Sequence, residues 1–142
     1  MASLTLSQAQ TIATEALRKG RELTLKPLTV AVLDAGGHAI VLLREDSASN
    51  LRPEIATGKA SGALALGISS RKIAEMALDR PTFVGSLSGI SAGGIIPAAG
   101  GVIILDAAGT PIGAVGVTGD TSDNDEICAL EGIAAAGLAA QA

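Results

Sequence analysis

The chain spells the same β-hairpin twice. Val30 to Leu43, VAVLDAGGHAIVLL, aligns with Val102 to Val115, VIILDAAGTPIGAV, at an offset of 72 with 6 identities in 14 positions. In each copy an aliphatic run enters an Asp-Ala-X-Gly turn and leaves as a second aliphatic run, the pattern of two antiparallel strands about a short loop. Gly36 and Gly37 are the residues of the first loop able to take a positive φ without strain. The shared positions are turn formers and strand aliphatics, so they establish repeated geometry rather than repeated function. Two such hairpins side by side make a four-stranded antiparallel sheet, and Ser91 to Ile96 is expected to add an edge strand.

Helical signals surround the hairpins. Thr5 and Gln8 form a capping box, and apolar residues then recur at helical spacing from Leu6, which predicts a helix to about Leu25, stopped by Pro27. Pro53 stands at a first helical position, opening a small-residue helix through Ile68, and Ser69 or Ser70 caps another from Arg71 to Leu78. After the second hairpin, Asp123 with Glu126, or Ser122 with Asp125, gives a capping box for a last helix carrying an Ile127, Leu130, Ala134 and Leu138 stripe. Strands paired in hairpins with helices before, between and after them make the class α+β, in one domain over 1–142.

Composition limits what this sheet can bury and bind. Ala and Gly make up nearly a third of the chain and aromatics 1%, so the core is aliphatic and the elements can approach closely. Charged residues at 17% are few for a small surface, which points to faces covered by sister subunits. All 10 basic residues lie at or before Arg80, leaving the second half acid-only; with no basic stripe and no stacking aromatics, nucleic acid binding is not expected. The single Cys128 excludes an internal disulfide, the start lacks the build of a signal peptide, and Gly93 to Leu105, the longest apolar stretch, is too short and too broken to span a bilayer. A cytoplasmic protein without membrane contact is expected.

Several motifs bear on chemistry. Asp120 to Glu131 partly follows a calcium loop, yet Asp125 stands where that loop needs Gly; a divalent ion across Asp120, Asp123 and Glu126 is the looser alternative. Gly89-Ile90-Ser91-Ala92-Gly93 fits a nucleophile elbow, but His38, the only histidine, precedes the serine in the chain. His38 opens the second strand of the first hairpin, either as an exposed polar residue or as an imidazole for haem iron or proton transfer. Arg44 and Asp46 end that hairpin; Arg44 or Lys59 offers a carboxylate clamp, and the amides of Gly93 and Gly94 offer donors to an oxyanion.

The segments VAVLDAGGHAIVLLRED, ATGKASGALALG, GGIIPAAGGVII and above all GAVGVTGDTSDNDE resemble the GlcG/HbpS family, a haem-binding or haem-degrading-like domain also found at the end of some PduO-type corrinoid adenosyltransferases. The likeness runs from about Leu6 to Gly137. It implies a profilin-like sandwich, a five-stranded antiparallel sheet of two hairpins plus an edge strand flanked by helices, commonly assembled as octamers. Asp34, Gly37, Arg44, Asp46, Lys59, Gly94, Gly101, Gly116, Gly119 and Asp120 match the family pattern. The resemblance implies a homo-oligomer that binds haem or a related tetrapyrrole; the site is expected at a subunit interface, with His38, the only imidazole of the chain, the leading axial candidate and Arg44, Asp46, Lys59, Gly93, Gly94 and Asp120 the further candidate contacts. The alternative is a cytoplasmic hydrolase, lyase or isomerase of a catabolic pathway, clamping a small carboxylate with Arg44 or Lys59 and using Asp46, Asp120 or His38 as acid or base.

Overall fold

Both hairpins form, and their turns are built alike. The structure, a computed structural model, describes residues 3–142. Strands β1 (Thr29–Asp34) and β2 (Ala39–Arg44) make the first hairpin, and β3 (Gly101–Leu105) and β4 (Pro111–Thr118) the second. At the first turn Asp34 Oδ1 accepts from the backbone N–H of Gly36 and His38; at the second, Asp106 Oδ1 accepts from Ala108 and Thr110. The positive φ falls on Gly37 (84°) and Gly109 (81°), not on Gly36. Register slips by one residue beside each turn, between Val32 and Leu33 and between Ile104 and Leu105, so the offset of the sequence repeat is also the offset of the bulges.

The hairpins join through β1 and β4 into a five-stranded antiparallel sheet of order β2-β1-β4-β3-β5. The fifth strand is β5 (Ala139–Gln141), paired with β3. Ser91 to Ile96, expected as the edge strand, is instead an irregular loop, because Gly94 adopts φ 82° and the Ser61 hydroxyl binds the Gly94 carbonyl in place of a ladder partner.

Helices cover both faces. Helices α1 (Leu6–Glu22) and α5 (Ser122–Ala135) pack Ile12, Ala16, Cys128 and Ile133 against Val30, Val32, Val115 and Val117. On the opposite face lies α2 (Arg52–Leu66), followed by α3 (Ser70–Asp79) and α4 (Pro81–Leu87). The small residues have a direct use here. Gly101 and Gly116 are register partners, and a Cβ on Gly116 would stand 2.0 Å from the Ala56 carbonyl oxygen and one on Gly101 2.2 Å from that of Lys59. Helix α2 therefore rests its backbone on the backbone of the sheet.

Element ends differ from the sequence expectations in instructive ways. α1 stops at Glu22 rather than Leu25, and α2 at Leu66 with Gly67 left-handed behind it. The short α4, started by Pro81, was not foreseen. Thr121, not Ser122 or Asp123, caps α5, its hydroxyl accepting from the Asn124 N–H. The inward face of α5 carries Asp125, Cys128, Ala129, Gly132 and Ile133, whereas Ile127 and Ala134 of the expected stripe are exposed.

Candidate functional site

α2 lies over β1, β4 and β3 and only grazes the same face of β2. The result is a groove between β2 and α2, roofed by the 91–93 loop. One end is a cleft of about 440 Å³ lined by Gly36, Gly37, His38, Ser61, Leu64, Ser91, Ala92 and Gly93. It adjoins a hollow of about 360 Å³ lined by Leu42, Pro53, Glu54, Thr57, Ala92 and Gly93. The loop is held in place. Ser61 Oγ donates to the Gly94 carbonyl at 2.7 Å, Ser88 Oγ bonds both the amide and the carbonyl of Ile95, and a Cβ on Gly93 would sit 2.4 Å from Ser61 Oγ.

His38 stands exposed at the mouth. Its backbone is fixed by two bonds to Asp34, the N–H to Oδ1 at 3.0 Å and the carbonyl to the Asp34 amide at 2.9 Å. Among the described residues no hydrogen bond engages its ring nitrogens, so the imidazole is free to meet a ligand. Of the expected contacts, Gly93 shares this groove and Gly94 anchors its roof. Arg44 lies two residues beyond Leu42 on the same side of β2, exposed, its guanidinium donating to Asn50 Oδ1 at 3.4 Å.

The remaining candidates lie elsewhere. Asp46 borders a separate hollow with Arg21, Pro27 and Glu45. Lys59 is 2% exposed, and its Nζ donates to the Val117 carbonyl at 2.9 Å and to Asp125 Oδ2 at 3.2 Å. Burial lowers the Lys59 pKa and raises that of Asp125, each offset in part by the other's charge. Asp120 binds the Asn124 side chain and the backbone N–H groups of Lys26 and Thr121. Those bonds hold its pKa down to about 2. Asp123 and Glu126 both pair with Arg71 and do not converge with Asp120 on an ion position. Cys128 is buried, and its thiol is pushed up to about 11. The carboxylate clamp and its acid or base are thus spread over three places rather than gathered in one cavity.

Sequence reading missed Leu42, Pro53, Thr57, Ser61 and Leu64 as groove walls. A signal was present, since Glu54, Thr57, Ser61 and Leu64 share one stripe of α2 at spacings of three and four.

The family model described as haem degrading protein HbpS-like matches residues 4–134. A double mutant of Streptomyces reticuli HbpS is 30% identical over 94% of this chain and 87% of its own, with a TM-score of 0.80. Klebsiella pneumoniae ORFY, of family DUF336, is 26% identical over 96% of this chain and 93% of its own, with a TM-score of 0.85. The protein of the PduOC–haem complex shares the fold at a TM-score of 0.86, with 23% identity over 97% of this chain and 98% of its own. No curated protein sequence matches the chain significantly.

Proposed function

The chain belongs to the HbpS-like family, and from that premise we propose that it binds haem or a closely related tetrapyrrole in the groove between β2 and α2, as part of a homo-oligomer. The observation that carries this reading is the chain's sole imidazole, with free ring nitrogens, standing at the mouth of a groove with largely apolar walls. A flat apolar macrocycle with an acidic edge needs such walls, a nitrogen donor for its metal and a cation for its carboxylates. Leu42, Pro53, Leu64 and Ala92 supply apolar surface, and Arg44 is the exposed cation on the same side of β2.

The residues present fit this group in kind. His38 would hold the iron through a ring nitrogen, its backbone kept in place by Asp34. Arg44 would meet a propionate. Haem, when bound, supplies redox and small-ligand chemistry at its iron. Because the groove is open along β2, one chain walls the ligand on one side only, which favours a site shared between copies.

Haemin titration followed at the Soret band tests the reading. A shifted, saturable Soret band that collapses in His38→Ala is the expected result. An unchanged spectrum on titration defeats tetrapyrrole binding, and a shift indifferent to His38→Ala removes His38 from the site.

A further inference from the structure

We propose that the free edge of β2 is a docking surface for β2 of a second copy, paired antiparallel about a two-fold axis through Leu43 so that two sheets become one. β2 is the end strand of the sheet, and its inner edge is used up by β1. Leu43 and Val41 stand opposite Val30 and Val32, and the Glu45 N–H donates to the Leu28 carbonyl at 2.9 Å. Alternation along a strand therefore turns the N–H and C=O of Leu42 and Arg44 outward. Among the described residues nothing bonds them from outside.

The edge also lacks the devices that keep edges apart. Ala39–Leu43 carries no charge and no proline, and the single bulge of the hairpin sits next to the turn, leaving Val41–Arg44 straight. Two leucines are stranded there on opposite faces, Leu42 at 46% and Leu43 at 36% exposure. The opposite edge, β5, is only three residues long.

The occupant that suits this edge is the edge itself. With the axis at Leu43, Leu42 and Arg44 of one copy exchange backbone hydrogen bonds with Arg44 and Leu42 of the other, about four bonds in all. Leu43 meets its own counterpart, Leu42 lies against the Arg44 stem, and no charge faces a like charge. An axis normal to the sheet also puts both α2 helices on the same side. The two grooves then open toward each other over a shared floor of β2 strands; that consequence rests on the proposed ligand site, whereas the pairing itself does not.

Leu43→Cys tests the register. Non-bonded partners in an antiparallel ladder stand about 4.5 Å apart at Cα, within disulfide reach. Mild oxidation is expected to give a covalent dimer of Leu43→Cys and none of Leu78→Cys, at an exposed leucine of α3, while the buried Cys128 stays silent. Leu43→Lys, with its fold checked by circular dichroism, is expected to halve the mass of the smallest stable species in light scattering. Cross-linking through Leu78→Cys but not Leu43→Cys, or an unchanged mass for Leu43→Lys, overturns the pairing. Haemin is read separately. A cross-linked Leu43→Cys dimer in a protein that takes no haemin removes the ligand reading and leaves the pairing, and haemin binding without the cross-link does the reverse.

Discussion

Lys59 and Asp125 form an ion pair that has almost no water, at 2% and 1% exposure, tying α2 to α5 across the end of β4. Replacing Lys59 with Met keeps the aliphatic stem but strands the Asp125 carboxylate, whose other oxygen is left with only the Asp120 N–H at 3.0 Å. Breaking a buried pair from one side costs about 3–5 kcal/mol. At roughly 3 °C per kcal/mol for a domain of this length, Tm should fall by about 10–15 °C at neutral pH. The pH dependence follows from the direction of the shift. Burial already raises the Asp125 pKa above its ordinary value, and losing the Lys59 charge raises it further. The folded variant therefore binds a proton more readily than the unfolded chain, so its stability rises as pH falls from the folded pKa toward the carboxylate's ordinary 3.8. The gap to wild type should narrow on acidification. Adding Asp125→Asn removes the stranded charge while keeping an acceptor for the Asp120 amide, and should recover about 2 kcal/mol or more. Urea melts of the wild type and the two variants between pH 5 and 8 decide it. A Lys59→Met loss below about 1 kcal/mol, flat with pH, would mean that the pair is solvated in the folded protein and would refute the reasoning.

Gly116→Ala drives a methyl into the Ala56 carbonyl and should cost at least about 2–3 kcal/mol, or prevent folding, as read by thermal melts, whereas Gly85→Ala, with open space around it, should be near neutral. Thr121→Ala removes the true cap of α5 and should cost about 1 kcal/mol; Asp123→Ala, losing only an exposed pair with Arg71, should stay within about 0.5 kcal/mol in the same assay. Asp120, with its pKa held near 2 by three donors, contributes stability above the ordinary 3.8 that is lost as pH falls toward 2. Asp120→Asn should therefore flatten the acid limb of the stability profile, and a carboxyl that titrates near 4 by NMR would refute the bonding.

What was legible in the sequence is what the chain decides locally. The hairpin turns could be read because Asp34 and Asp106 bond amides two and four residues onward, and the Thr5 cap because Gln8 answers it three residues later. Distant partners decide the rest. Ala139–Gln141 has no strand signal of its own and is extended because β3 has an open edge, while the more aliphatic 91–96 segment is pulled off the sheet by Ser61 and Ser88. Lys59 read as a surface clamp because its partner Asp125 lies 66 residues away. Asp125 in turn read as a helix-cap acid, and nothing in its neighbourhood announces that α5 turns it inward.

The groove follows from the glycines rather than from any site motif. Gly101 on β3 faces Gly116 on β4, so the flattest part of the sheet is at its centre, and α2, itself Ala and Gly over much of its inner face, settles there. The side chains that α2 turns toward β2, among them Pro53, Thr57, Ser61 and Leu64, line the groove without filling it. The same small-residue packing that stabilises the centre of the sheet therefore leaves His38, Leu42 and the free edge of β2 exposed, and whatever ligand or partner the protein takes on this face must supply the cover that α2 does not.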